Sequence, residues 1–297
     1  MKSEKSTRRL RRKRKSLCHS TAKNQKDLES ADSNVVKEAR VDGERAERQA
    51  KVRENETMNA DSTAVEIFEG VFRVPDTRNP NKRMLATRNL TPGRSFYGEQ
   101  LIRSKLNEIE VEFRSWDPFR SKLSAAILNG LKWFPFKQGS RCLYLGTSTG
   151  TTVSHLSDIV GNKGKIFGVE VAARVAREFL ENVVKYRKNV VPIIEDAKHP
   201  ERYPAIYGAV SIVYCDIAQP DQTEIAIHNC RALLESSRES TLFLVVKASS
   251  IDAIKNKDEV FKEQARILET NNFEILQQID LQPYDRNHAM LVARPKI

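Results

Sequence analysis

From Gly139 onward, short apolar runs alternate with amphipathic stretches. The runs predict strands over Arg141–Leu145, Lys165–Glu170, Val190–Glu195, Ala209–Cys215, Thr241–Lys247, Glu274–Asp280 and Ala289–Ala293. Helical patterns fill the gaps after the first five. Leu242-Phe243-Leu244-Val245-Val246 is apolar at every position, the pattern of a strand covered on both faces. This alternation predicts an α/β fold with a doubly wound, mostly parallel sheet. The last two strands are joined by a short connection, so one of them is expected to run antiparallel.

Upstream the period changes. Val65–Val74, Arg83–Leu90 and Ile109–Phe113 read as short strands, with turn residues at Asn79-Pro80-Asn81 and Thr91-Pro92-Gly93. Trp116-Asp117-Pro118 marks a boundary, and a helix is expected from Pro118 to Asn129 with Leu123, Ile127 and Leu131 on one face. Phe68 is the first aromatic residue of the chain. The segment before it is charged and serine-rich and lacks the apolar surface that offsets ordering entropy. Three regions follow: a disordered basic tail over 1–60, a small β-rich domain over 66–114, and an α/β domain over 115–297. A transient charged helix over 35–57 would have no core face.

The net charge is +11, which favours a polyanionic partner such as nucleic acid. The tail supplies +7 of it, with 17 Lys+Arg against 10 Asp+Glu. Its run Arg8-Arg9-Leu10-Arg11-Arg12-Lys13-Arg14-Lys15 reads as a nuclear or nucleolar address, a nonspecific RNA contact, or simply a solvated tail. Cys18, Cys142, Cys215 and Cys230 form no Cys-x-x-Cys pair and the five histidines have no ligand spacing, so no zinc site and a reducing compartment are expected. No run approaches a membrane span, and the start of the chain lacks the apolar centre of a signal peptide.

The stretch from Cys142 to Leu156 carries the most chemistry. An apolar strand ends at Gly146, a loop of small residues runs to Gly150, and an amphipathic helix opens with Thr151-Thr152. A helix N-terminus presents unpaired N–H groups and a partial positive charge, which suits an anionic ligand group. With no lysine after the second glycine, the loop is no phosphate-cradling P-loop and better fits a carboxylate-bearing nucleoside such as S-adenosylmethionine. Ligands of open α/β sheets bind beyond the carboxyl ends of the strands. Those ends carry Glu170, Glu195-Asp196, Asp216 and Lys247. Glu170 suits ribose hydroxyls or is a plain exposed acid. Asp196 either accepts from an adenine amino group or caps the turn at Lys198-His199-Pro200. Thr151 and Thr152 contact the methionine end of the cofactor or cap their helix. Lys247 either snorkels to solvent or is held in the site, where Asp216 in a neighbouring strand would pair with it.

These residues fall in longer motifs. Trp116-Asp117-Pro118-Phe119-Arg120-Ser121-Lys122-Leu123, Gly150-Thr151-Thr152-Val153-Ser154-His155 and Pro192-Ile193-Ile194-Glu195-Asp196-Ala197-Lys198-His199-Pro200 appear in order. Asp216-Ile217-Ala218-Gln219-Pro220-Asp221-Gln222 and Tyr284-Asp285-Arg286-Asn287-His288-Ala289 follow. With them, residues 66–297 resemble fibrillarin, the S-adenosylmethionine-dependent RNA 2′-O-methyltransferase of box C/D ribonucleoproteins. The resemblance implies a methyltransferase α/β domain after a small β domain, with box C/D guide RNA, target rRNA and a Nop-family scaffold protein as partners. It also implies a nuclear, nucleolar location. Thr151, Thr152, Glu170, Val171, Asp196, Ala197, Asp216, Ile217, Ala218 and Gln219 fall on the family's cofactor-binding positions, and Lys122, Asp216 and Lys247 on its catalytic set. A ribose hydroxyl is a poor nucleophile, and a lysine oriented by an acid helps remove its proton or steadies the developing oxyanion.

The chain also departs from the family. Its tail lacks Gly/Arg repeats, the first loop reads Thr147-Ser148-Thr149 in place of a small residue followed by Ala-Ser, and Asn287 replaces an acid. Extra basic and aromatic residues cluster at Lys132-Trp133-Phe134. These mark a diverged eukaryotic paralogue. They leave open a catalytically weak structural subunit, or a methyltransferase acting on glutamine in a histone.

Overall fold

The computed structural model describes residues 63–203, 206 and 208–296. The tail expected over 1–60, its basic run and the helix expected over 35–57 lie outside them.

Five strands form an antiparallel sheet: β1 (Val65–Phe68), β2 (Val71–Asp76), β3 (Asn79–Arg88), β4 (Leu101–Leu106) and β5 (Ile109–Ser115), in the order β1-β2-β3-β5-β4. The stretch expected as one strand over Val65–Val74 is a hairpin, because Gly70 takes φ +76° and turns the chain back. Asn79-Pro80-Asn81, expected as a turn, opens β3 instead, and the chain reverses just before it.

The second sheet has seven strands: β6 (Arg141–Leu145), β7 (Lys165–Val169), β8 (Val190–Ile193), β9 (Ile212–Cys215), β10 (Thr241–Lys247), β11 (Phe273–Asp280) and β12 (His288–Pro295). Their order is β11-β12-β10-β9-β6-β7-β8, and β12 runs antiparallel to both of its neighbours. The helices are α1 (Lys122–Leu128), α2 (Thr151–Val160), α3 (Ala173–Asn182), α4 (Gln222–Leu233), α5 (Ala248–Ile251) and α6 (Lys257–Thr270). Successive strand residues enter opposite cores. Tyr144, Phe243 and Val245 pack with Leu123 of α1, Val153 of α2 and Phe179 of α3. Leu143, Leu242 and Leu244 pack with Ile225 of α4 and Phe261 of α6. Burial on both faces is why these strands read as unbroken apolar runs.

Two expectations change. The first helix starts at Lys122, because residues 117–120 form a turn closed by the Arg120 N–H donating to the Asp117 carbonyl at 3.2 Å. Between β8 and β9 the described residues hold a 3-10 turn over Pro200–Arg202 and no α-helix. Pro200 and Pro204 are spaced so that one helix interior cannot hold both.

Chain direction reverses its outward progress between β6 and β9, which makes their carboxyl ends the switch point of the sheet. The small sheet is tied to this region through a buried charge network. Arg114 of β5 meets Glu99 at 2.6 Å and Asp158 of α2 at 2.8 Å, and Arg187 meets Asp158 at 2.6 Å. Asp158 also accepts from the Thr87 hydroxyl at 2.8 Å and from the Leu90 N–H at 3.1 Å. His155 stacks on Trp116 and bridges Thr87 and Tyr97. Burial, with Arg114 and Arg187 nearby, pushes its basicity well below the usual range. His155 Nδ1 lies 2.8 Å from the Thr87 hydroxyl and Nε2 lies 2.6 Å from the Tyr97 hydroxyl, which also reaches the Ser115 carbonyl at 3.1 Å.

Removing one partner of such a network strands the others as uncompensated buried charges. Asp158→Ala is expected to cost about 3–5 kcal/mol in urea unfolding. An unchanged midpoint would show that the network does not tie the two sheets together.

Candidate functional site

A cleft of about 280 Å³ opens at the switch point. Its walls come from the loops that follow β6, β7, β8 and β9. Gly146 ends β6 at φ +82°, and a Cβ there would stand 2.9 Å from the Asp216 carbonyl oxygen. Only glycine lets these two strand ends approach so closely. Gly150 sits before α2 at φ +94°, where a Cβ would stand 2.6 Å from Val183 and 2.7 Å from Phe179.

Glu170, Val171, Asp196, Ala197, Asp216, Ile217, Ala218 and Gln219 all line this cleft, together with Lys247. The Glu170 carboxylate accepts from the Ser148 N–H and the Ala172 N–H, both at 3.0 Å. It therefore fixes the β6–α2 loop against the end of β7. Asp196 accepts from the Lys198 N–H at 3.0 Å, so its turn-capping role is present alongside its place in the wall.

Thr151 and Thr152 are not among the lining residues. Neither caps α2, whose N-cap is Gly150 with no side-chain bond. Thr152 instead meets the Ser121 hydroxyl at 2.9 Å, and both groups are buried. That contact pins the residue just before Lys122 to the first turn of α2.

Lys122, Asp216 and Lys247, far apart in sequence, meet here. The Lys122 ammonium lies 3.3 Å from the Asp216 carboxylate. The Lys247 ammonium lies 3.0 Å from the same carboxylate and donates to the Asp216 carbonyl at 2.9 Å. Lys247 ends an otherwise buried strand and is held in the site, not released to solvent. The segment carrying Tyr284 to Ala289 closes the group from the far side, with Lys122 3.8 Å from Asp285 and His288 2.8 Å from Asp285. Burial pushes the Asp285 carboxyl up, but the His288 bond and the charges of His288, Lys122 and Lys247 outweigh it, so the carboxyl titrates below its usual range.

The parts played by Asp285 and His288 were not read from the sequence, although their motif was. Their signal is the pairing of β10 with β12, which sets His288 directly opposite Lys247. Two ammonium groups fixed by carboxylates beside an acid-walled cleft can hold a nucleoside ligand and steady a nearby oxyanion.

The family model described as fibrillarin matches residues 63–297. A fibrillarin-like rRNA/tRNA 2′-O-methyltransferase of Pyrobaculum calidifontis is 48% identical over 211 residues, covering 71% of this chain and 88% of that protein. The crystal structure of Aeropyrum pernix fibrillarin with natively bound S-adenosyl-L-methionine superposes with a TM-score of 0.69 at 40% identity, covering 78% of this chain and 97% of that one. A fibrillarin/Nop5p complex gives a TM-score of 0.66 at 35% identity, covering 78% of this chain and all of the matched chain.

Proposed function

Because this chain belongs to the fibrillarin family, we propose that it transfers a methyl group from S-adenosylmethionine to ribose 2′-hydroxyls of rRNA, directed by box C/D guide RNA in a particle with a Nop-family scaffold. The observation that carries this reading is the meeting of Lys122, Asp216 and Lys247 at the edge of an acid-walled cleft. The A. pernix relative binds S-adenosylmethionine and another relative assembles with Nop5p, which supports the cofactor and the scaffold.

The cleft fits the cofactor by its chemistry. Glu170 would accept from ribose hydroxyls and Asp196 from the adenine amino group, with Val171, Ala197 and Ile217 to Gln219 lining the cleft. Gly146 leaves room where a side chain would press on the Asp216 carbonyl. The first turn of α2, opened by Thr151 and Thr152, would offer its unpaired N–H groups to the carboxylate of the methionine end. S-adenosylmethionine, when bound, supplies an electrophilic methyl group on sulfur. The chain's own residues then prepare the nucleophile. Asp216 fixes both ammonium groups, each of which has further N–H donors to offer. Aimed at one 2′-oxygen, they would lower the cost of the negative charge that grows there as its proton passes to solvent water and the oxygen takes the methyl group from sulfur, leaving S-adenosylhomocysteine. Positioning supplies much of the rest, since aligned groups reach effective molarities of about 10⁵ M or more.

The basic run over residues 8–15 supports a nuclear, nucleolar address. Deleting 1–60 is expected to disperse a fluorescent fusion from nucleoli, and unchanged nucleolar signal would remove that role.

Lys122→Ala and Lys247→Ala are each expected to cut single-turnover methyl transfer in a reconstituted guide-RNA particle by about 10²–10⁴-fold. Calorimetry should find S-adenosylmethionine affinity retained in Lys122→Ala, whose side chain is not among those lining the cleft. Near wild-type rates in both variants, or transfer to a basic protein in place of RNA, would overturn the reading.

A further inference from the structure

The turn that leads into α1 leaves an aromatic ring in solvent. Phe119 is 69% exposed, and its ring meets Tyr284 edge-on at 5.2 Å. Tyr284 is half-buried against the core, so this contact has a fixed base. The Phe119 N–H donates to the Asp117 carboxylate at 2.9 Å, which fixes the turn that presents the ring. The lysine group lies beside it. Phe119 precedes Lys122 by three residues, and Tyr284 precedes Asp285, which is 3.8 Å from the Lys122 ammonium. Exposed cations flank the ring in sequence, with Arg120 next to Phe119 and Arg286 next to Asp285. The ion pairs at this edge are taken up by Lys122, Asp216, Lys247, Asp285 and His288, and among the described residues Arg120 and Arg286 enter none. The Arg120 guanidinium is anchored on the Tyr97 carbonyl at 3.0 Å and keeps further N–H donors.

A target strand paired to its guide forms an A-form duplex. Its major groove is too deep and narrow for side chains, while its minor groove is wide, shallow and lined by 2′-hydroxyls. The reacting hydroxyl therefore meets Lys122, Asp216 and Lys247 only when the minor groove lies over them. A side chain that stands proud of the surface beside that group then enters the same groove. Phe119 is such a side chain. Its ring suits the apolar faces of riboses and base edges, and the flanking arginines suit the phosphates of the groove rims. Apolar wedges seat many proteins in minor grooves.

We propose that Phe119 is a wedge that enters the minor groove of the guide–target duplex beside the reacting ribose, with Arg120 and Arg286 on the phosphates of its rims. The proposal rests on the RNA reading above and adds the surface that seats the duplex. The ring reads groove shape and no base sequence, so the choice of nucleotide stays with the guide.

The test uses the full chain with a labelled guide–target RNA duplex and with the same target strand alone, affinity being followed by anisotropy across salt concentrations. Phe119→Ala is expected to weaken duplex binding about five-fold or more and to leave the salt slope unchanged, because the ring's contact is not ionic. Phe119→Leu keeps an apolar side chain and should recover most of that loss. Arg286→Gln should flatten the slope of log affinity against log salt by about 0.9, the share of one duplex phosphate. Affinity for the single strand should hold in Phe119→Ala. In the reconstituted particle the loss should fall on KM for RNA, with S-adenosylmethionine affinity kept, since Phe119 is not among the residues lining the cleft. If wild type methylates RNA but Phe119→Ala keeps both duplex affinity and KM, the proposal falls and the function stands. If Phe119→Ala weakens the single strand as much as the duplex, the ring stacks on bases and the proposal falls. If wild type binds the duplex and Phe119→Ala loses it while no RNA is methylated, the wedge stands and the function falls. If Phe119→Ala keeps duplex binding but loses a Nop-family partner, the ring serves the scaffold and the proposal falls.

Discussion

The structure depends on one buried carboxylate, Asp158. Two guanidinium groups, a hydroxyl and a main-chain N–H converge on it from three separate stretches of chain. A fully buried charge is tolerable only when its partners are in place, so Asp158 fixes where α2 sits against the small sheet. The same Arg114 that reaches Asp158 also donates to the Ser154 hydroxyl at 2.7 Å and its carbonyl at 3.2 Å. Arg114 stands two residues before Trp116, from which the chain passes through the turn at 117–120 to Ser121 and Lys122. Trp116 stacks on His155, and Ser121 meets Thr152. Each step along that segment is thus pinned to a successive turn of α2, and Lys122 arrives at Asp216 as the end of the series.

The site joins this clamp to the sheet. Lys122 comes from the clamped segment, while Asp216 and Lys247 come from neighbouring strand ends whose register is set by a close-packed core. The close approach of Gly146 to Asp216 fixes the cleft wall and the acid of the charge group by the same contact. Cofactor cleft and lysine pair are therefore not independently movable. Such rigidity is what electrostatic stabilisation requires, because a preoriented charge costs no reorganisation when the reacting oxygen develops charge.

The legible parts of the chain are those whose pattern is local. Arg141–Leu145 and Thr241–Lys247 are read to the residue because strands covered on both faces are apolar throughout. The acids at strand ends are legible because a parallel sheet delivers those ends to one edge. Strand β4 is missed: its sequence Leu-Ile-Arg-Ser-Lys-Leu exposes Arg103 and Lys105 on one face, and only its pairing with β5 makes it a strand. Thr151 and Thr152 read as caps because hydroxyls favour that position, but Gly150 takes it with a left-handed backbone that packs on Phe179. The Asp158 network leaves no local trace, since Arg114 and Arg187 look like surface cations until β5 and the turn after α3 are laid against α2.

The central claim is that Lys122 and Lys247 act as a unit through Asp216, and a double-mutant cycle tests it most directly. Single-turnover methyl transfer is measured for the wild type, Lys122→Ala, Lys247→Ala and the double variant, on the same guide-RNA particle at saturating S-adenosylmethionine. Groups that share one task lose it together. The account predicts that the double variant is about as slow as the worse single variant. A double loss equal to the product of the two single losses would mean that the lysines act separately, and would contradict it.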